Sequence, residues 1–540
     1  MELDLVLREA NIITMDPARP AAGRLGIWHG RVAGVDEQID GLPARAQVRL
    51  GGATVVPGFL DAHAHLAWAG IAAGSTSLAS CLTVAEALAA ISRAAGAVPA
   101  GGWVDVTGYD QRPFGRHLTR RDLDTAAAGR KLFILHASGH ATLVNSLVTD
   151  LLPAGGWQHR PGVVLDEAGQ PTGLFAEEAA ALVAGLRNPY SLEELTGALS
   201  VAAAQCAAQG VTFCAEAGLG GGMSSRSPVE ALAFQQAQDG PGFGIRAQLM
   251  MAREMFGRVT SGPGGDITLA FPLGLRTGLG SPRLSLGALK IWLDGGMMAR
   301  TAALTEPYTG TENTGMLAED LAEVTRLAQD AHAAGWQLAL HAIGDAAVDA
   351  ALDIFAAARC RAPRAGARHR IEHAGLIRPD QLARLRELDV IAVIQPSFLY
   401  EYGADYAAIV GPQRSDWLYR GRSLLDAGIT VAGSSDRPVA GGAPLQAMQF
   451  MVERRTSDGV PVGPGEAITA AEALAAYTTG SAYACRVEDQ LGSLTAGKLA
   501  DLAVLSADPR RVPGGQIGQI EVLATAVGGQ LVHGAWPAGR

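Results

Sequence analysis

Between Val211 and Asp436 short apolar runs alternate with helical stretches at a regular beat. VTFCAEA (211–217), LSLGALKIWLDGG (284–296), WQLALHA (336–342), HRIEHA (369–374), VIAVIQPS (390–397) and ITVAGSSD (429–436) have the length and character of buried strands. Between them, AEDLAEVTRLAQDAHAAG, ended by Gly335, DAAVDAALDIFAAAR and PDQLARLRELD carry helical spacing. Strands separated by helices imply βα units, and βα units imply a parallel sheet. A doubly wound open sheet and a closed barrel both fit that beat.

The two ends of the chain differ from the middle. LDLVLREANIIT (3–14) and QVRLGGATVV (47–56) read as short strands, and LADLAVL (499–505) and IEVLATAVGGQLV (520–532) repeat that pattern. Thr83-Val-Ala-Glu86 and Ser191-Leu-Glu-Glu194 are capping boxes that open helices. Residues 97–182 fit neither pattern and read as an insertion.

Composition closes off several classes of function. The 540 residues are 48% hydrophobic and 18% charged, enough for a large core and against global disorder. The net charge of −10 gives no reason to expect nucleic acid or an anionic membrane as partner. The five cysteines are dispersed, and the start MELDLVLREA lacks the form of a signal peptide, so the cytoplasm is the expected compartment.

Groups with chemistry gather at strand ends. In PGFLDAHAHL (57–66), His63 and His65 stand two apart on a strand and face one side, as half of a metal site requires. That pair alone describes two ordinary histidines equally well. His341, His373 and Asp436 then close three later strands, at the edge where barrel enzymes place their chemistry. In a chain with only 12 histidines, that set points to a metal centre.

Lys290 adds a second kind of ligand. The chain has three lysines, Lys131, Lys290 and Lys498, and uses Arg elsewhere for its cations. Lys290 lies between Leu289 and Ile291, where an ammonium is costly and its pKa falls. A neutral amine can add carbon dioxide and become a carbamate, an anionic ligand able to bridge two metals. Arginine cannot. The alternative is a structural ion pair with Asp294.

PGFLDAHAHL, SGHATLVNS, LKIWLDGGMMARTAALTEPY, LHAIGDAAVDAAL, RIEHAGLI, GSSDRPV and LGSLTAGKLADLAVL, taken in order, resemble the amidohydrolase superfamily. Within it they resemble the amidohydrolase-3 branch, of the N-substituted formamide deformylase type. The resemblance implies an α/β fold: a distorted (β/α)8 TIM barrel over 57–486, with the insertion at about 97–182. It also implies a small β-sandwich domain formed by both chain ends, 1–56 and 487–540. It implies a binuclear centre of two divalent ions, with Zn2+ expected, held by His63, His65, Lys290 as carbamate, His341 and His373, with Asp436 as metal-proximal ligand and acid/base. There are two departures: Gly295-Gly296-Met297-Met298-Ala299 where the family often has Gly-Ser-Leu-Gly-Ser, and Glu216 where an Asp is common. Both lie near the expected mouth, and neither is expected to touch a ligand.

The implied activity is hydrolysis of a carbon–nitrogen bond, a non-peptide amide or an N-formyl or N-acyl amine, by a metal-activated hydroxide. Asp436 would take the proton and hand it to the leaving amine. His140, in SGHATLVNS, is a catalytic candidate for orienting the substrate oxygen, and Trp68, Tyr308 and Tyr400 are candidates for lining the pocket. The expected partner is a small-molecule amide, with no nucleic acid and no membrane, and a homodimer as the assembly considered. Two alternatives stand beside this. A mononuclear aminohydrolase (deaminase) of a heterocyclic amine would need a Glu three residues after His341, where the chain has Gly344. A non-catalytic barrel scaffold would be expected to have lost ligands, and all six are present.

Overall fold

In the computed structural model eight parallel strands form one sheet: β1 (Phe59–Ala64), β2 (Val211–Leu219), β3 (Arg246–Ala252), β4 (Leu284–Trp292), β5 (Leu338–Ala342), β6 (Arg370–His373), β7 (Ile391–Ile394) and β8 (Val431–Gly433). The structure describes residues 2–537 apart from 137–140, 177–178, 222–226, 228, 261–266, 272–273 and 318–319. Each strand pairs with the next in chain order. A doubly wound sheet would reverse that order at its centre, so the topology is that of a barrel. The first and last strands approach closure through their C-terminal extensions: Asp436 N–H donates to His63 O at 2.8 Å, and His65 N–H donates to Arg437 O at 3.0 Å.

Every residue of β2 and β3 is buried. β2 shows this as an unbroken run of small and apolar side chains around one Glu. β3, RAQLMMA, does not read as a buried strand because Arg246 and Gln248 interrupt it. The donor groups of both find partners inside. Arg246 Nε and Nη2 donate to Asp501 at 2.7 and 2.9 Å, and Gln248 Nε2 donates to Cys485 O at 2.9 Å. The crossover helices include Leu321–Ala333, Asp345–Arg361 and Gln381–Glu387. Asp320 caps the first of these by accepting from Glu323 N–H at 2.8 Å, and Gly335, at φ +95°, follows its end.

Both chain ends build a second sheet of eight strands. The expected single strand at 47–56 is two, Ala44–Arg49 and Thr54–Pro57, separated at Gly51 and Gly52, which take φ of +59° and +86°. Thr54–Pro57 pairs antiparallel with Leu502–Leu505, so a strand from near each terminus shares one ladder. Leu7, Ile12, Leu25, Val55, Leu502 and Val504 pack into its core, apolar surface that neither segment buries alone.

The chain divides into two compact units. One comprises Met1–Leu66, Ala202–Ser224 and Phe234–Arg540, and the other Ala67–Val201 with Ser225–Ala233. The expected insertion at 97–182 falls inside the second unit, which starts soon after β1. That unit has a mixed six-stranded sheet and its own core around Leu78, Ile91, Val106, Leu132 and Leu143. Its helix Val84–Gly96 begins with the anticipated capping box, Thr83 accepting from Glu86 N–H and Glu86 from Thr83 N–H. Among the described residues no helix is long and apolar enough to cross a membrane.

Candidate metal centre

His63 is the next-to-last residue of β1 and His65 lies just beyond it. His341 and His373 end β5 and β6, while Asp436 stands three residues past β8, in a turn rather than in the strand. Asp61 anchors that turn. Its Oδ1 accepts from Ser435 N–H at 3.0 Å, and the Arg437 guanidinium lies 3.6 Å from its Oδ2. Asp436 and His373 take φ of +56° and +75°, a left-handed backbone costly for these residues and characteristic of held functional groups.

His63, His373 and Asp436 each bring one ligand atom to within 4.8 Å of the others, all three side chains buried. Oδ1 of Asp436 is 3.3 Å from His63 Nε2 and 3.1 Å from His65 Nε2. The ring centres of His341 and His373 are 4.3 Å apart. Burial opposes the charge on Asp436, but His63 and His65 outweigh it and hold the carboxyl well below its ordinary range. Burial lowers His373 to about 3 and His341 well below its usual value, so both imidazoles are neutral and carry a lone pair.

Hydrogen bonds set which nitrogen of each ring is free. Gln395 Nε2 donates to Ser434 Oγ at 2.9 Å, so its Oε1 accepts from His373 Nδ1 at 2.8 Å. Nδ1 of His63 bonds the Glu372 carboxylate, which two bonds from Arg370 also hold. Burial would raise Glu372, but Arg370 and His63 pull it well below the usual carboxylate range. Nε2 of these two rings is thereby left for a ligand, whereas His341 Nε2 lies 3.3 Å from Gly295 O.

Lys290 is fully buried, and its Nζ has no hydrogen-bond partner among the described residues. Burial pushes the amine down to about 8, with Glu372 and Asp436 opposing. The ion pair with Asp294 is not formed. Asp294 instead accepts from the backbone N–H groups of Ala303, Ile343 and Gly344 at 3.0, 3.1 and 2.8 Å, and burial raises it to about 7. An orphaned, readily deprotonated amine among neutral imidazoles and carboxylates fits a metal-binding set, since a buried Nζ left alone is strongly disfavoured. His63, His65, Lys290, His341, His373 and Asp436 could hold the ion or ions.

Of the donors, His341, His373 and Asp436 line a cavity of about 980 Å³, together with Trp292, Met297, Met298, Phe398, Tyr402 and Tyr406 among others. These aromatics, not the expected Tyr308 and Tyr400, make its wall. The Tyr308 hydroxyl is buried and donates to Ala302 O at 2.6 Å. Trp68 belongs to the second unit, and His140 lies outside the described residues. Glu216, expected away from the ligands, corrects that expectation: its Oε1 is 4.0 Å from His65 Nδ1, and its Oε2 accepts from Leu66 N–H at 2.6 Å. At Gly344 an added Cβ would stand 1.9 Å from Ala303 O, so the backbone excludes the carboxylate a mononuclear aminohydrolase would carry there.

Comparison with known proteins agrees with this geometry. Residues 48–533 match the profile of the Amidohydrolase family. The chain is 30% identical over 545 residues to the N-substituted formamide deformylase of Arthrobacter pascens, covering 98% of each chain. It superposes on an uncharacterised metal-dependent hydrolase from Pyrococcus furiosus with a TM-score of 0.78 at 26% identity, over 94% of this chain and 100% of that one. A second such hydrolase, from Pyrococcus horikoshii OT3, gives 0.75 at 25% identity, over 95% and 99%. Fold and site define a metal-dependent hydrolase acting on carbon–nitrogen bonds other than peptide bonds. The chain belongs to the amidohydrolase family.

Proposed function

We propose that the enzyme hydrolyses an N-formyl or N-acyl amine at a binuclear centre held by His63, His65, His341, His373, Asp436 and Lys290 as its carbamate, with Zn2+ as the metal. The observation that carries this is the buried Lys290 Nζ with no hydrogen-bond partner among the described residues, beside converging His63, His373 and Asp436. Carbamate formation joins the neutral Nζ to the carbon of carbon dioxide and releases one proton, so the buried amine becomes an anion suited to that set. When bound, divalent ions lower the pKa of water and polarise the substrate carbonyl. Asp436, kept ionised by His63 and His65, takes the proton of the attacking water at a carboxylate oxygen and returns it to the departing amine. Gln395 and Glu372 keep the protons of His373 and His63 on Nδ1 throughout. Trp292, Phe398, Tyr402 and Tyr406 form an apolar wall that receives the organic part of the amide. The named relative, a formamide deformylase, supports this choice of bond. Free cysteines throughout the described chain support a reducing, cytoplasmic setting.

The test is a hydrolysis screen of the metal-loaded enzyme against N-formyl amines, N-acyl amino acids and cyclic ureas. Release of amine from the first or second class, abolished by a chelator and restored by Zn2+, is the expected result. Turnover of cyclic ureas alone, or of none of the three, would overturn the substrate assignment.

A further inference from the structure

Three arginines converge on a pocket of about 250 Å³ at the opposite end of the barrel from the metal centre. Arg276 and Thr277 precede β4, Gly335 precedes β5, and Arg364 and Gly366 precede β6. The pocket therefore opens at the N-terminal ends of strands whose C-terminal ends carry His341 and His373, a strand length of about 15 Å away. Arg486 completes it from the segment after the helix Ser481–Ala484.

The charges there are only partly offset: Glu488 acts on Arg486 from a distance but pairs with Arg368. Among the described residues no carboxylate lies within ion-pair distance of Arg276, Arg364 or Arg486, although the chain as a whole has a net charge of −10. The neighbouring Arg368 takes Glu488 at 2.5 Å. Arg364 spends one nitrogen on Trp336 O, yet its Nε is buried with no hydrogen-bond partner among the described residues. Arg486 donates to Gly366 O at 2.8 Å, and its backbone takes φ +60°. Such left-handed backbone costs energy in a non-glycine residue and persists where the surroundings enforce it. Gly335 lets Arg276 approach, since a Cβ there would lie 2.9 Å from Arg276 Cδ. Burial and the charges of Arg486 and Arg276 all lower the pKa of Arg364, the signature of like charges held together.

Three guanidiniums around a cavity of this size match one tetrahedral oxyanion, which forked N–H donors recognise through paired hydrogen bonds. We propose that this pocket binds a single phosphate group, free or as the monoester of a small molecule, through Arg276, Arg364 and Arg486. The site is independent of the metal centre, which could itself attract phosphate, and the experiment separates the two. Inorganic phosphate is titrated calorimetrically into the metal-loaded enzyme at low ionic strength, with phenyl phosphate as a second arm.

One saturable event is expected that weakens about tenfold or more in Arg276→Gln and in Arg364→Gln. Phosphate held at the metal centre would be indifferent to both changes. Arg276 is exposed and makes no side-chain hydrogen bond among the described residues, so its variant will fold even if Arg364→Gln does not. Tighter binding of phenyl phosphate would assign a monoester, and equal or tighter binding of inorganic phosphate would assign the free ion. No saturable binding up to millimolar phosphate, or binding of wild-type strength in the Arg276 variant, would overturn the proposal.

Discussion

His63 Nδ1 and a Glu372 carboxylate oxygen share a hydrogen bond that links β1 to β6, with side chains 1% and 0% exposed. Arg370 holds the same carboxylate from below and donates to Ala62 O at 2.6 Å, so a buried ion pair fixes one ring of the candidate metal centre. A carboxylate behind a ligating imidazole sets its tautomer and raises its basicity.

Glu372→Gln should therefore weaken metal binding by about 10- to 100-fold, measured by competition with a chromophoric chelator. Folding is checked in parallel, because the change leaves Arg370 without its counter-charge. A folded variant with wild-type metal affinity would show that Glu372 only neutralises Arg370.

Asp436→Asn preserves shape and removes the proton acceptor. The kcat should fall by about 10² to 10⁴, with most of the metal retained by the remaining ligands. Steady-state kinetics beside metal analysis decide this. Near-normal kcat at full metal content would assign proton transfer to another group.

Acid should destabilise the metal-free protein through its buried histidines. Burial lowers His373 from 6.5 to about 3, and lowers His369 well below its usual value. As pH falls below 6.5 the unfolded chain binds protons that the native state refuses, so stability present above 6.5 is lost progressively down to about 3. His373 contributes about 1.4 kcal/mol per pH unit well inside that window, and His369 acts in the same direction. Urea unfolding of chelator-treated protein between pH 7 and pH 5 should show a falling midpoint. A level midpoint would contradict the neutral, buried state of these rings.

Arg246 and Asp501 tie barrel strand β3 to the C-terminal segment through a pair only 6% and 2% exposed. Asp501→Ala leaves the guanidinium buried and alone and should cost about 3–5 kcal/mol in a denaturation experiment. Replacing both, as Arg246→Met with Asp501→Leu, should recover most of that loss. A cost below about 1 kcal/mol for the single change would mean that water reaches Arg246.

What the sequence discloses follows from the range of the interaction that matters. Capping at Thr83 and Glu86 is local, and the alternation of strands with helices follows from the spacing of apolar runs, so both are legible in the order of the amino acids alone. His341 and His373 are visible because their residue type coincides with a strand end. Lys290 is visible because lysine is rare here. β3 escapes notice because the partners of Arg246 and Gln248, Asp501 and the Cys485 carbonyl, lie more than 200 residues away. Glu372 and Gln395 are hidden for the same reason. Each looks like one polar residue beside a strand until the barrel sets it behind His63 or His373. Glu216 reads as a residue of the mouth, and only the meeting of β1 with β2 brings it to His65.

Lys290 is expected to serve a metal centre rather than to pack as an ammonium. The most direct measurement is metal content per chain, by inductively coupled plasma mass spectrometry, for wild type and Lys290→Ala with and without added short carboxylates. About two ions per chain are expected in the wild type, with loss of most metal in the variant and partial recovery of metal and activity with the carboxylate. Equal metal content in the wild type and the variant would contradict that expectation.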